Sequence, residues 1–312
     1  MRTVEEAFTA WSKSGLATIV DGCSWQSYLS KVMQLPDPGS PATLAGTAYH
    51  AAIEHHERAR IVQSRGADIE LPTLGHLAQV AVRAISAGAD DIPDEQWHLH
   101  GSDPDEVINR VEIALNHWWH TDAGDKEQPG SLRDIRLSYR PILTEQYFRI
   151  DTDWSARPLH GYIDAVCWDP DEEEWVVIDD KSASNFGRWP HGGDGHEVEA
   201  AVYTLGALKA AGIPVTDDTR VRMEWHVART AEGQNSRFEG ARLIRRTVDR
   251  FDLQLLEDHI RIADRTVDEG LFATNPGWNL CSQKWCAFWR PCQVTGELSP
   301  EVVHAARQLQ TA

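Results

Sequence analysis

From about residue 134 the chain carries three successive stretches, RLSYRPILTEQYFRI, PLHGYIDAVCW and EEWVVIDDKSA. Each is short, rich in β-branched and aromatic residues, and bounded by turn-forming residues, which is the pattern of strands. Strands in sequence must pair, because a lone strand leaves its backbone groups unsatisfied. The polar break DPDEEE at 169–174 makes the second and third strands a hairpin with acidic residues solvated at its tip. Helical patterns lie on both sides, so the expected class is α/β (α+β), a central mixed sheet flanked by helices.

Residues 1–35 read as helical with a break near Asp21-Gly22, and Pro41 to about Arg65 reads as a strong helix, with two more near 73–87 and 103–120. The loop NFGRWPHGGDGH (185–196) leads into the helix EVEAAVYTLGALKAAG, which stops at Gly212-Ile213-Pro214 as a glycine-proline exit should. Strands at about 219–230 and 236–246 precede a long helix ending near Gly270. With 312 residues, no internal repeat and no long linker, a single domain is expected. Its parts are a mainly helical region (1–130), the sheet core (134–250), and a helix and cysteine-rich cap (251–312) closing onto Cys23.

Within VVIDDKS the strand period of two puts Asp179 and Lys181 on one face and Asp180 on the other. If the preceding strand is the hairpin partner, Asp164 lies beside that face, giving two carboxylates and an ammonium within a few ångströms. Such a cage holds a divalent cation, which can neutralise a phosphate oxygen and lower the pKa of an attacking water. Lys181 then positions or activates the water and balances charge on the phosphate. In GTAYHAAIE, steps of four put Gly46, His50 and Glu54 along one helix face, glycine allowing close backbone approach. His50 can thus join Asp164 and Asp179 as a metal ligand, and an imidazole in the set favours Mn2+ over Mg2+, with activity expected in either.

The series G-x-x-x-H-x-x-x-E, G-x-I-D and I-D-x-K resembles the RecB-type branch of the PD-(D/E)xK nucleases, across residues 44–210. The resemblance implies a restriction-endonuclease-like core and a metal-dependent deoxyribonuclease. It also implies a helix motif Q-x-x-x-Y after the lysine strand. Here the matching stretch is EAAVY, with Tyr203 present and Glu199 in the glutamine position. Glu199 adds an acidic ligand or contacts the site through another hydrogen-bond pattern; for both residues the alternative is helix packing.

Cys281, Cys286 and Cys292 lie in CSQKWCAFWRPC, and Cys23 lies before the Gly46 helix. Four converging thiolates complete a tetrahedral site. The set resembles that of the iron-sulfur exonucleases of the same branch, AddB-type and CRISPR-associated, in which a 4Fe-4S cluster ties the chain's ends together. Structural Zn2+ or free buried cysteines are the alternatives, and Cys167 reads as core. Trp285, Phe288 and Trp289 would shield the cluster or stack on unpaired bases.

The net charge of −18 opposes phosphate binding, which normally shows as a basic excess. Residues 220–250 are locally basic, however, and Arg242, Arg245 and Arg246 are candidates for contacting DNA, the alternative being a solvated strand and helix face. No run of eighteen apolar residues exists and the N-terminal stretch lacks a secretory pattern, so a cytoplasmic location is expected and a membrane is not. No P-loop, H-E-x-x-H or G-x-G-x-x-G occurs, excluding a built-in motor of that kind. The expected function is a metal-dependent DNA exonuclease. The resemblance implies single-stranded ends cut from the 5' side, in recombination, repair or CRISPR-like processing with protein partners. A nucleic-acid-binding accessory with weak catalysis is an alternative, as is an endonuclease, for which no recognition insertion is seen.

Overall fold

The computed structural model describes residues 2–125, 128–187, 189, 193–214, 220–231 and 240–294. The chain begins with α1 (Val4–Ala7), α2 (Lys13–Val20) and α3 (Ser24–Ser27), the last running into a single π-turn. There follow α4 (Pro41–Ser64), α5 (Leu74–Gly88), α6 (Asp94–His100), α7 (Pro104–His120) and α8 (Leu132–Ser138). Next come β1 (Arg140–Thr152), β2 (Ser155–Asp169), β3 (Glu174–Ala183), α9 (Glu197–Ala211), β4 (Val221–Arg229) and β5 (Ala241–Thr247). The last elements are α10 (Arg250–Asp268) and α11 (Trp289–Val294). Among the described residues no helix is long and apolar enough to cross a membrane.

The contacts divide the chain into two compact units. One draws on Met1–Gly39, Ile150–His160 and the chain from Leu255, the other on Ser40–Arg149 and Gly161–Gln254. The second unit holds a five-stranded sheet in the order β1-β2-β3-β4-β5. Strands β2 and β3 are antiparallel, β3 and β4 parallel, β4 and β5 antiparallel, so the sheet is mixed as expected. The parallel step follows from α9, whose length carries the chain back to the starting edge of β3. Tyr49, Ala52 and Ile53 of α4, Leu77 and Ala81 of α5 and Val111 and Trp118 of α7 form one core with Ala165, Cys167, Val176 and Ile178 of the sheet.

Two expectations are corrected. The first strand starts at Arg140 rather than near Asp134, because Ser131 caps a short helix by accepting a hydrogen bond from the Asp134 N–H and helix persists to Ser138. The hairpin tip is only partly solvated, since Asp169 is 5% exposed and ion-paired with Arg222 at 2.6 Å. Helix α6 was not foreseen. The early part of the strand expected at 236–246, up to residue 239, lies outside the described residues.

The other unit is built around Trp11 and Arg157. The backbone of Trp11 bridges to β2 at Leu159, its indole N–H donates to Asp264 at 3.0 Å, and Arg157 pairs with the same carboxylate at 2.8 Å. Beside this lies a second apolar cluster of Cys23, Trp25, Leu29, Met33, Leu35 and Phe288.

Candidate active site

Helix α4 starts at a capping box, with Ser40 and Thr43 satisfying each other's backbone N–H groups and Pro41 in the first turn. Its buried residues, among them Ala45, Ala48, Tyr49, Ala52, Ile53 and His56, follow the helical period and leave His50 and Glu54 at the edge of the buried stripe. His50 Nδ1 then meets Asp164 Oδ2 at 3.2 Å, with the side chains 32% and 13% exposed. Gly46 does not serve a close approach, contrary to expectation: a methyl group there would meet nothing within 4 Å.

Asp164 owes its position to the hairpin. The ladder pairs Ala165 with Ile178, and one step further the backbone N–H of Asp180 donates to Asp164 Oδ2 at 2.9 Å. Asp180 itself turns to the other face, where both its oxygens accept from Arg136 Nη1 at 3.0 and 2.9 Å, as the strand period requires. Asp179 and Lys181 share the site's face as expected and form an ion pair. Glu199 lies 3.7 Å from the Lys181 ammonium and 3.0 Å from His196 Nδ1. For Tyr203, burial and then the charges of Asp179, Glu199 and Asp164 push the hydroxyl well above the usual range.

Among the described residues, the ligand atoms that lie within 4.8 Å of one another belong to His50, Asp164 and Glu145. Glu145 was not foreseen; Asp179, also expected as a ligand, is ion-paired with Lys181. Glu145 has φ 46°, a left-handed conformation that costs a non-glycine residue strain and collects at functional sites. No sequence pattern singles it out, since β1 also carries Arg140, Gln146, Arg149 and Asp151.

The electrostatics fit a cation. Burial, followed by the charges of Asp164 and Glu54, pushes the Glu145 carboxyl up to about 7, which marks an excess of negative charge in a confined space. Burial opposes the His50 imidazolium, yet the hydrogen bond and charge of Asp164 raise its pKa all the same. Burial likewise opposes the Asp164 carboxylate, and His50 and then Lys181 more than reverse it. One imidazole and two carboxylates make a donor set suited to a divalent cation.

The arginines expected to contact DNA are committed elsewhere. Arg245 pairs with Glu224 at 3.0 Å and Asp125 at 3.1 Å, and Arg246 with Asp252 at 2.5 Å. Arg242 donates to the Trp189 carbonyl at 2.9 Å and lies over the Phe186 ring. Arg222, Arg245 and Arg246 of this stretch are thus each ion-paired within the chain.

In the other unit, Cys23, Cys286 and Cys292 share one apolar cluster. Burial pushes the Cys286 thiol up to about 11, with Cys23, Cys292 and Cys281 among the neighbouring charges. Among the described residues no three of their sulfurs lie within 4.8 Å of one another. Phe288 packs in the same apolar cluster, 2% exposed, whereas Trp285 is 48% exposed. Cys167 is a core residue, as expected.

Comparison with curated protein sequences finds no match. Among solved structures the fold resembles that of a candidate exonuclease from Eubacterium rectale, with a TM-score of 0.51 and 10% identity over 95% of this chain and 90% of that one. At that identity the likeness concerns the fold alone. A family model of the PD-(D/E)XK nuclease superfamily matches residues 10–293, spanning the helix of His50, the hairpin of Asp164, Asp179 and Lys181, and α9. The chain therefore belongs to the PD-(D/E)XK nuclease superfamily.

Proposed function

We propose that the chain is a divalent-metal-dependent DNA exonuclease acting on single-stranded ends, from the 5' side. The observation that carries this reading is the convergence of an imidazole, carboxylates and one ammonium at His50, Glu145, Asp164, Asp179 and Lys181. PD-(D/E)XK nucleases use divalent metals, and His50, Glu145 and Asp164 would hold the cation, with Asp179 held beside Lys181. When bound, Mn2+ or Mg2+ supplies a Lewis acid for the phosphate and lowers the proton affinity of the attacking water.

The remaining work falls to the chain's own groups. Burial opposes the Lys181 ammonium, but Asp179, Glu199 and Asp164 more than offset it and keep the amine charged. A charged amine has no lone pair for a proton, so Lys181 donates to water or phosphate and balances charge growing in the transition state. Glu199 and Tyr203 hold that ammonium and its carboxylate partner in place. The Asp180 N–H and His50 fix the rotamer of Asp164.

The cysteines extend the proposal to a 4Fe-4S cluster held by Cys23, Cys281, Cys286 and Cys292. Tetrahedral zinc, with bonds of about 2.3 Å, needs its sulfurs about 4 Å apart. Anaerobically purified protein is expected to be brown, with broad visible absorbance lost in Cys286→Ser; colourless protein carrying one zinc per chain would decide for the alternative. Cytoplasmic service in recombination, repair or CRISPR-type processing belongs to the same proposal.

The deciding assay compares end-labelled linear single strands, linear duplex and closed circles with Mn2+, Mg2+ or chelator. Mononucleotide release from linear single strands only with metal is the expected result. Cutting of circles would make the chain an endonuclease, and binding without release would make it an accessory.

A further inference from the structure

Beside the candidate site lies a pair of aromatic residues that its chemistry leaves unused. Tyr147 and Tyr162 are 43% and 60% exposed, with ring centres 5.3 Å apart and the planes crossed at 60°. The core beneath them is made by other residues of the same strands, Phe148 and Ile163, at 2% and 1% exposure. Tyr147 is two residues along β1 from Glu145, and Tyr162 two residues along β2 from Asp164. A two-residue step is about 7 Å, so each ring is rooted next to one acid of the ligand group.

We propose that Tyr147 and Tyr162 form a stacking platform for unpaired nucleobases beside the cutting site, which makes single-stranded DNA its substrate class; this rests on the nuclease reading above. A nucleic-acid enzyme with a net charge of −18 gains little from general attraction to phosphate. Arg245 and Arg246 are bound to internal acids, so affinity has to come from another source. Stacking on aromatic faces is that source for single strands, because every base has a π-face and no sequence is demanded. A duplex hides those faces in its own stack. The step from acid to ring is also short, about 7 Å along a strand. A phosphate at the acids therefore puts a flanking base within reach of the rings.

The test measures binding to a short single strand carrying 2-aminopurine near its end, in Ca2+, for wild type, Tyr147→Ala/Tyr162→Ala and Tyr147→Phe/Tyr162→Phe. The same proteins are titrated with a strand whose terminal nucleotides lack bases. The alanine pair is expected to bind the intact strand about 5- to 100-fold more weakly, with loss of 2-aminopurine quenching. The phenylalanine pair, which still stacks, should match wild type, and all three should bind the base-free end alike. Equal affinity of alanine pair and wild type for the intact strand would overturn the platform, as would an equal loss on both strands. Sedimentation showing a wild-type dimer dissolved by the alanine pair, with DNA affinity unchanged, would assign the rings to self-association and overturn it too. Wild type that binds in the expected pattern yet releases no nucleotide would remove the cutting function and leave the platform standing.

Discussion

Lys181→Ala is expected to slow metal-dependent nucleotide release by on the order of 10²–10³-fold, the usual loss when one preorganised donor to a developing charge is removed. Lys181 is the ammonium that reaches this cluster of acids, and a water molecule in its place carries no charge. Lys181→Arg should not restore the rate, because a planar fork cannot occupy the space of a compact point charge between Asp179 and Glu199. Binding of the cation separates this role from that of the ligands. In Lys181→Ala, Mn2+ affinity measured by calorimetry should hold or improve, since a competing positive charge has gone. In Glu145→Gln it should fall by at least about 100-fold, given that even supporting residues around a metal cost 10–100-fold. Unchanged release in Lys181→Ala would move the chemistry elsewhere, and unchanged Mn2+ affinity in Glu145→Gln would remove Glu145 from the ligand set.

The parts of this site readable from sequence are those set by a local period. The alternation in VVIDDKS separates Asp180 from Asp179 and Lys181, and the structure sends Asp180 to Arg136 and the other two to the site. The spacing in α4 likewise brings out His50. Glu145 escapes such reasoning because its left-handed backbone breaks the period on which a strand is read. Arg245 and Arg246 escape it for a different reason. Counting charges along a segment says nothing about partners drawn from elsewhere, and theirs come from β4, from the stretch after α7 and from the start of α10. The cysteines fall between these cases: three are close in sequence, but their meeting with Cys23 depends on tertiary structure.

Arg136→Met is expected to destabilise the sheet-bearing unit by about 3–5 kcal/mol, the cost of leaving a buried charge without its partner. Arg136 is fully buried and binds both oxygens of Asp180, with Glu57 at 3.5 Å from its Nε. Burial opposes its charge, but Asp180 and then Glu57 outweigh this and hold the guanidinium firmly protonated. The same network tethers α4 to α8, since Arg60 pairs with Glu57 at 2.8 Å and donates to the carbonyls of Arg136 and Tyr139. Arg136→Met/Asp180→Asn should recover a large part of the loss, because it removes the orphaned carboxylate as well as its cation, while Glu57 keeps Arg60. Urea unfolding of the two variants and the wild type gives the comparison; a loss under about 1 kcal/mol in the single variant would mean that water or another cation reaches Asp180. The consequence for the site is specific. The backbone N–H of Asp180 holds Asp164, so an Asp180 freed from Arg136 lets that N–H move, and the double variant should regain stability before it regains Mn2+ affinity.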